Sequence, residues 1–141
     1  MTGLKNKLLD NLRHTYCRLK KSRHGVGVFA IVDIPKNTNP FLNCKKVRWF
    51  KFKKDEIASL PKEVAQMIKE FYGSDNGYHY IPNHGLNGND ISFFLNHSLS
   101  PNTASDPNDS KIFKTTRNIK QGEELFINYK EYDPEDEILS Q

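Results

Sequence analysis

Three segments of this 141-residue chain carry residue types whose spacing suits binding or catalysis. The first is Gly25-Val26-Gly27, where glycines let the backbone approach a ligand closely or turn through positive φ. It lacks the third glycine and the following helix of a dinucleotide-binding fingerprint, so alone it reads first as a structural turn. The second is Phe94-Leu95-Asn96-His97-Ser98-Leu99-Ser100-Pro101-Asn102. Here a dense polar cluster follows an apolar lead-in that loops seldom carry, and its polar groups need partners if buried. The third, Gly122-Glu123-Glu124-Leu125-Phe126-Ile127-Asn128-Tyr129, is a turn running into a strand that ends on a tyrosine. That hydroxyl both donates and accepts. A metal site from His79, His84 and His97 would have poor spacing and no carboxylate or cysteine company. Cys17 and Cys44 form no CxxC pair, so no metal is expected.

The elements that must position these segments are short. Leu4, Leu8, Leu9 and Leu12 recur at helical spacing, which predicts an amphipathic helix over about 3–13. Residues 16–20 alternate weakly, meet a turn at 22–27 and lead into a β-branched strand at 28–32. Turn residues punctuate 33–37 and 39–40, and 47–52 reads as a strand with large apolar side chains among lysines. The clearest helix is predicted at about 61–72, with Ser59 as its cap, Pro61 in its first turn and Gly73 left-handed at its end. Ile57, Leu60, Val64, Met67, Ile68 and Phe71 supply its buried stripe. Residues 74–110 are loop-dominated, interrupted by apolar pieces at 78–81 and 91–95. Strands follow at 112–116 and 125–129, joined by a turn over 118–124. The fold class is a β-rich α+β domain.

One domain is expected at this length, with enough core to stand without disulfides. Two cysteines, no apolar signal segment and no run near the ~20 apolar residues of a membrane span predict a soluble, intracellular protein. Charge is segregated. Residues 1–54 carry 14 Lys/Arg against two acids, residues 55–120 carry six against eight, and residues 121–141 carry one against seven. Such asymmetry suits either two electrostatic faces or an ordinary solvated surface.

Taken together and in this order, the three segments resemble the signature set of the SET domain. His24-Gly25-Val26-Gly27-Val28-Phe29-Ala30 is similar to its first glycine motif, Phe94-Leu95-Asn96-His97-Ser98 with Pro101-Asn102 to its centre, and Gly122-Glu123-Glu124-Leu125 with Tyr129 to its closing motif. Ile34-Pro35-Lys36-Asn37 resembles the family's Ile-Pro-Lys-Gly turn, with Asn in the glycine's place. The likeness covers about 15–130. It implies several short sheets around a knot-like C-terminal crossing, a helical insert at about 55–75, an N-terminal helical extension at 1–14 and an acidic tail at 131–141.

The resemblance further implies an S-adenosylmethionine-dependent protein-lysine N-methyltransferase acting on histones or other basic proteins. Arg23, His24, Gly25, Gly27, Asn96, His97 and Tyr129 would bind the cofactor, with Asn96 placed beside Tyr129. Tyr129 would be catalytic, Tyr78, Tyr80 and Phe126 would line the lysine channel, and Glu123 would anchor the closing turn. The cytoplasm or nucleus is the expected compartment, or a host cell if the source is a microbe. The chain departs from many histone-directed members in having no cysteine-rich module before or after the domain. Closure of the channel then falls to the tail, to a second subunit in a homodimer, or to neither if the channel is shallow. Two rivals stand beside this reading: a SET-fold binding module without strong activity, and a nucleic-acid-binding module using Lys45, Lys46, Arg48, Trp49, Phe50, Lys51, Phe52, Lys53 and Lys54.

Overall fold

Turn chemistry and two-residue alternation, more than helix propensity, shape this chain. The computed structural model describes residues 2–42, 44 and 47–131. In chain order come helix α1 (Thr2–Arg13), strands β1 (Cys17–Ser22), β2 (Gly25–Ala30) and β3 (Trp49–Lys53), helices α2 (Lys54–Ala58) and α3 (Lys62–Phe71), and strands β4 (Ser74–Asp75) and β5 (Tyr78–Pro82). Two 3₁₀ turns, Leu86–Gly88 and Ile91–Phe94, precede strands β6 (Asn96–His97), β7 (Thr103–Asp106), β8 (Asp109–Thr115) and β9 (Glu124–Ile127). A last 3₁₀ turn covers Tyr129–Glu131. The result is the β-rich α+β fold expected, built as two units: residues 1–45 with 94–127, and residues 46–93 with 128–141. The acidic tail beyond Glu131 and the lysines at 45 and 46 lie outside the described residues. No helix among the described residues is long and apolar enough to cross a membrane.

In the first unit a four-stranded sheet runs β1-β2-β9-β6. β1 and β2 pair from Cys17↔Ala30 to Ser22↔Gly25, leaving a loop of only Arg23 and His24. Gly25 and Gly27 therefore lie inside β2, not in a turn between strands. Gly25 takes φ 104, because so short a loop needs a residue without a Cβ to close it. β9 pairs antiparallel with β2 (Val28↔Leu125) and parallel with β6 (Asn96↔Phe126, His97↔Ile127). Val28, Leu125, Ile34 and Ile119 are the centre of this unit's core. Ile34 and Ile119 also exchange both backbone hydrogen bonds, at 2.7 and 2.8 Å. Asn37 adopts φ 64, filling the glycine place of its turn as the sequence suggests. Its N–H donates to the carbonyl of Thr115 at 2.9 Å. Burial pushes the Cys17 thiol up to about 12, with nearby Cys44 adding to the shift. β7 pairs with β8 in a separate two-stranded sheet; Thr103-Ala104-Ser105-Asp106 has no apolar alternation to announce it. α1 forms where its leucines predict, yet Leu4, Leu8, Leu9 and Leu12 are 50–70% exposed.

The second unit packs α2 and α3 against a sheet of order β3-β5-β4. Its core is Ile57, Ile68 and Tyr72, with Phe52, Ile81 and Phe93 packed around them. The expected helix is present, but its ends differ. Pro61 occupies the N-cap of α3 without a side-chain bond, while the Ser59 hydroxyl donates to the Glu56 carbonyl at 2.6 Å, finishing α2 instead. At the other end Tyr72 turns to extended backbone, φ −123 and ψ 140, and Gly73 is not among the glycines at positive φ. Tyr72 leaves the helix to bury its ring, and its hydroxyl donates to Asn89 Oδ1 at 2.6 Å. Of the predicted stripe, Ile57 and Ile68 are buried, but Leu60 and Met67 are 38% and 37% exposed. With ten residues in α3, only a narrow face reaches the core. The last strand also stops early, at Ile127. Asn128 ends it by accepting the Lys130 N–H on Oδ1 and the Glu131 N–H on its carbonyl, both at 3.1 Å.

The side chain of Asn102, 2% exposed, completes the first unit's sheet. Its Nδ2 donates to the Glu124 carbonyl at 2.9 Å and its Oδ1 accepts the Phe126 N–H at 2.8 Å. Asn102→Ala leaves both backbone groups buried without partners and is expected to cost about 2–4 kcal/mol. Asn102→Asp keeps the acceptor but buries a carboxylate against the Glu124 carbonyl, and is expected to be at least as destabilising as Ala. Denaturant unfolding of both variants checks the ranking; an Ala variant as stable as the parent would contradict it.

Candidate functional site

The site grows from the alternation of β9. Leu125 and Ile127 point into the core, so Glu124 and Phe126 share the opposite, half-buried face. The register Phe29↔Glu124 places Phe29 on that face, and alternation adds Gly27. A Cβ on Gly27 would fall on the Glu124 carboxylate and 3.0 Å from Asn96 Nδ2. A side chain here would displace the Glu124 carboxylate and the Asn96 amide, so glycine preserves the contact at which three chain segments meet.

Asn96 is the hub of that meeting. Its Nδ2 lies 2.8 Å from Glu124 Oε2, 3.1 Å from the Val26 carbonyl and 3.2 Å from Ser22 Oγ. Two N–H groups thus serve three acceptors, the carboxylate giving the strongest, charge-assisted contact. Ser22 Oγ in turn accepts the His24 N–H at 3.0 Å. The amide of the central motif is thereby locked onto the tip of the glycine hairpin 70 to 74 positions away. His97 is half-buried beside it in β6, in register with Ile127, and the Ser98 N–H donates to the Ile127 carbonyl at 2.9 Å.

Of the residues singled out in the sequence, Arg23, His24, Gly25, Gly27, Asn96, His97 and Phe126 all fall in the first unit, on the hairpin tip and the β6–β9 pair. Arg23 and His24 are exposed on the loop. Tyr78 and Tyr80 lie in the second unit, half-buried on one face of β5 with buried His79 between them. Tyr129 also belongs to that unit, half-buried at the start of the last 3₁₀ turn. Glu123 anchors the closing turn. Its Oε1 accepts the Lys120 N–H at 3.2 Å and its Oε2 pairs with Arg117 at 3.1 Å. The Lys120 N–H first, and Arg117 after it, hold this carboxyl below the usual carboxylate range.

Sequence reading missed Glu124 and Ser22. The available signal was the period-2 pattern of Glu124-Leu125-Phe126-Ile127, which puts Glu124 on the face of Phe126 and away from the core. Chemically, the hairpin offers exposed backbone at Gly25 and Val26, with open space where a Gly25 Cβ would stand. Beside it sit a fixed carboxamide and a carboxylate. This combination suits a ligand with polar hydrogen-bonding groups and positive charge.

The sequence profile described as SET domain matches residues 25–130. A comparison with curated proteins gives no match. Among solved structures, the chain is similar to a candidate histone methyltransferase of Plasmodium falciparum, with 20% identity and a TM-score of 0.50 over 82% of this chain and 93% of that one. It is also similar to a humanized mutant of the Chaetomium thermophilum Polycomb Repressive Complex 2 bound to an inhibitor, with 23% identity and a TM-score of 0.53. That match covers 84% of this chain and only 15% of the other. At these identities both likenesses concern the fold.

If the Glu124 carboxylate holds Asn96 in place, removing either partner disables the same contact. Asn96→Ala and Glu124→Ala should then be non-additive in unfolding free energy, with a coupling of about 1–2 kcal/mol. A double-mutant cycle measures it, and additive losses would show that the two side chains act separately.

Proposed function

This chain belongs to the SET-domain family, and on that premise we propose that it is an S-adenosylmethionine-dependent protein-lysine N-methyltransferase acting on basic proteins such as histones. The observation that carries the reading is the Asn96 amide fixed between Ser22, Val26 and Glu124 at the glycine hairpin. Three partners, with a glycine cleared beside them, make a rigid polar wall next to open backbone.

In this proposal Arg23, His24 and Gly25 hold the cofactor through the hairpin tip, Gly27 keeps the approach clear, and the Oδ1 of Asn96, as an acceptor, and the backbone of His97 bind its polar ends. When bound, S-adenosylmethionine supplies a methyl group already activated on a sulfonium sulfur, so a neutral lysine amine suffices as nucleophile. The chain's task is therefore alignment and deprotonation. Phe126, Tyr78 and Tyr80 are proposed to line the lysine slot. Holding the amine in line can contribute several kcal/mol, of the ~7–11 kcal/mol available to well-oriented reactions. A free lysine has a pKa of about 10.4 and is mostly protonated at neutral pH. An apolar slot and a positive neighbour both favour the neutral amine, and water removes the proton.

Tyr129 is assigned to the transfer step. Its hydroxyl would accept from the amine and offer weak C–H···O contact to the methyl as positive charge moves onto it. A rigid phenol suits this because it presents its oxygen with only two rotatable bonds.

The test uses isotopically labelled S-adenosylmethionine with histones, ribosomal proteins and lysate. Label is expected on lysine of a basic protein. Tyr129→Phe should keep the melting temperature and cofactor affinity of the parent while lowering turnover on the order of 10²-fold. Unchanged turnover in that variant removes Tyr129 from the chemistry, and no transfer with no calorimetric cofactor binding overturns the whole reading.

A further inference from the structure

We infer that α1 is a membrane-surface anchor, resting on an anionic bilayer without spanning it, independently of methyl transfer. None of its twelve residues is buried, so the helix adds nothing to the core of the first unit. Leu4, Leu8, Leu9 and Leu12 are each at least half exposed. A helix this short is marginal in water on its own, and a contiguous apolar face left on its surface marks a place where something docks.

Helical geometry sorts the side chains. At ~100° per residue, Leu4, Leu8 and Leu12 follow one another across an arc of ~80°, and Leu9 widens it to ~140°. Lys7 and Arg13 stand just beyond the two edges of that arc, and Lys5 lies within it. Asp10, the only acid of the helix, projects ~170° from the centre of the arc. Cations thus border the apolar face while the single anion points away from it. An interfacial helix needs this placement: Lys and Arg stems lie along the apolar layer and lift their charges to the phosphates. The far end is also secured, since the His14 ring bonds the Asp10 carbonyl at 2.8 Å and Arg13 complements the helix dipole. No acid occurs from residue 11 to 32, and Arg18, Lys20 and Lys21 of β1 are exposed.

Charge complementarity selects the occupant. A second copy of α1 would set Lys5, Lys7 and Arg13 against their own kind. Two facing helices only ~18 Å long also fall short of the ~1,200 Å² of a stable pair. An acidic groove on a protein grips a narrow ridge of anchors and would bury Lys5 among the leucines. A bilayer surface accepts the broad arc and leaves the Lys5 ammonium in the headgroup layer.

The full chain is sedimented with phosphatidylcholine vesicles, with and without about 30 mol% phosphatidylserine. Binding to the anionic vesicles is expected to be at least about tenfold tighter and to weaken as salt rises. Leu8→Gln combined with Leu12→Gln keeps helix propensity and removes no buried contact, and should weaken binding at least about tenfold. Lys5→Gln combined with Arg13→Gln should cut the preference for phosphatidylserine at least about fivefold. Circular dichroism verifies that the variants fold. The proposal is overturned by absence of binding to anionic vesicles, by equal binding to both compositions, or by leucine variants that bind as the parent does. A dimer in analytical ultracentrifugation that the leucine variants split would also overturn it, assigning the face to a second copy.

Discussion

Everything that meets at the site depends on β9 being held from both sides, and one side chain makes this hold. The backbone groups of Leu125 face β2, whereas those of Glu124 and Phe126 face the other way. β6, two residues long, is followed by Ser98, whose N–H goes to the Ile127 carbonyl, which leaves the Glu124 carbonyl and the Phe126 N–H to another partner. The carboxamide of Asn102 supplies the missing donor and acceptor, standing in for one more residue of strand. A primary amide presents this donor and acceptor side by side without carrying charge. Buried as it is, the clamp leaves the backbone no alternative partner in water.

With β9 fixed, alternation decides the rest. Leu125 and Ile127 go to the core, so Glu124 and Phe126 must face the hairpin. Gly27 leaves room for the carboxylate, and Asn96 shares its amide among Ser22, Val26 and that carboxylate. The polar site is therefore a by-product of strand geometry more than of any local turn. Its residues come from three places in the chain because the sheet brings together β2, β6 and β9, which are far apart in sequence.

The three motif segments were legible as a set, and so were α1, the β1–β2 hairpin and the positive-φ place of Asn37. These rest on local rules: helical spacing, short loops, turn residues. What escaped depends on neighbours in space. Asn102 reads as a loop asparagine until β9 is beside it, and Glu124 reads as a twin of Glu123 although one faces Asn96 and the other Arg117. Gly73 sits where a helix ought to end left-handed, but burial of Tyr72 ended α3 another way. Leu60 and Met67 satisfy a helical stripe yet stay more than a third exposed. Tyr129 looked like the last residue of a strand because nothing in Asn128 alone announces that its side chain caps a turn.

The strand order has a consequence during synthesis. β9 is an inner strand of the sheet, yet it follows β1, β2 and β6 along the chain. The β1–β2 hairpin closes early, since its contacts are local. The open edge of β2, an apolar Gly-Val-Gly-Val-Phe-Ala segment, then waits while residues 31–123 are made. Such an edge invites pairing with other nascent chains. Until β9 arrives to cover it, this edge is the part of the nascent chain most open to mispairing.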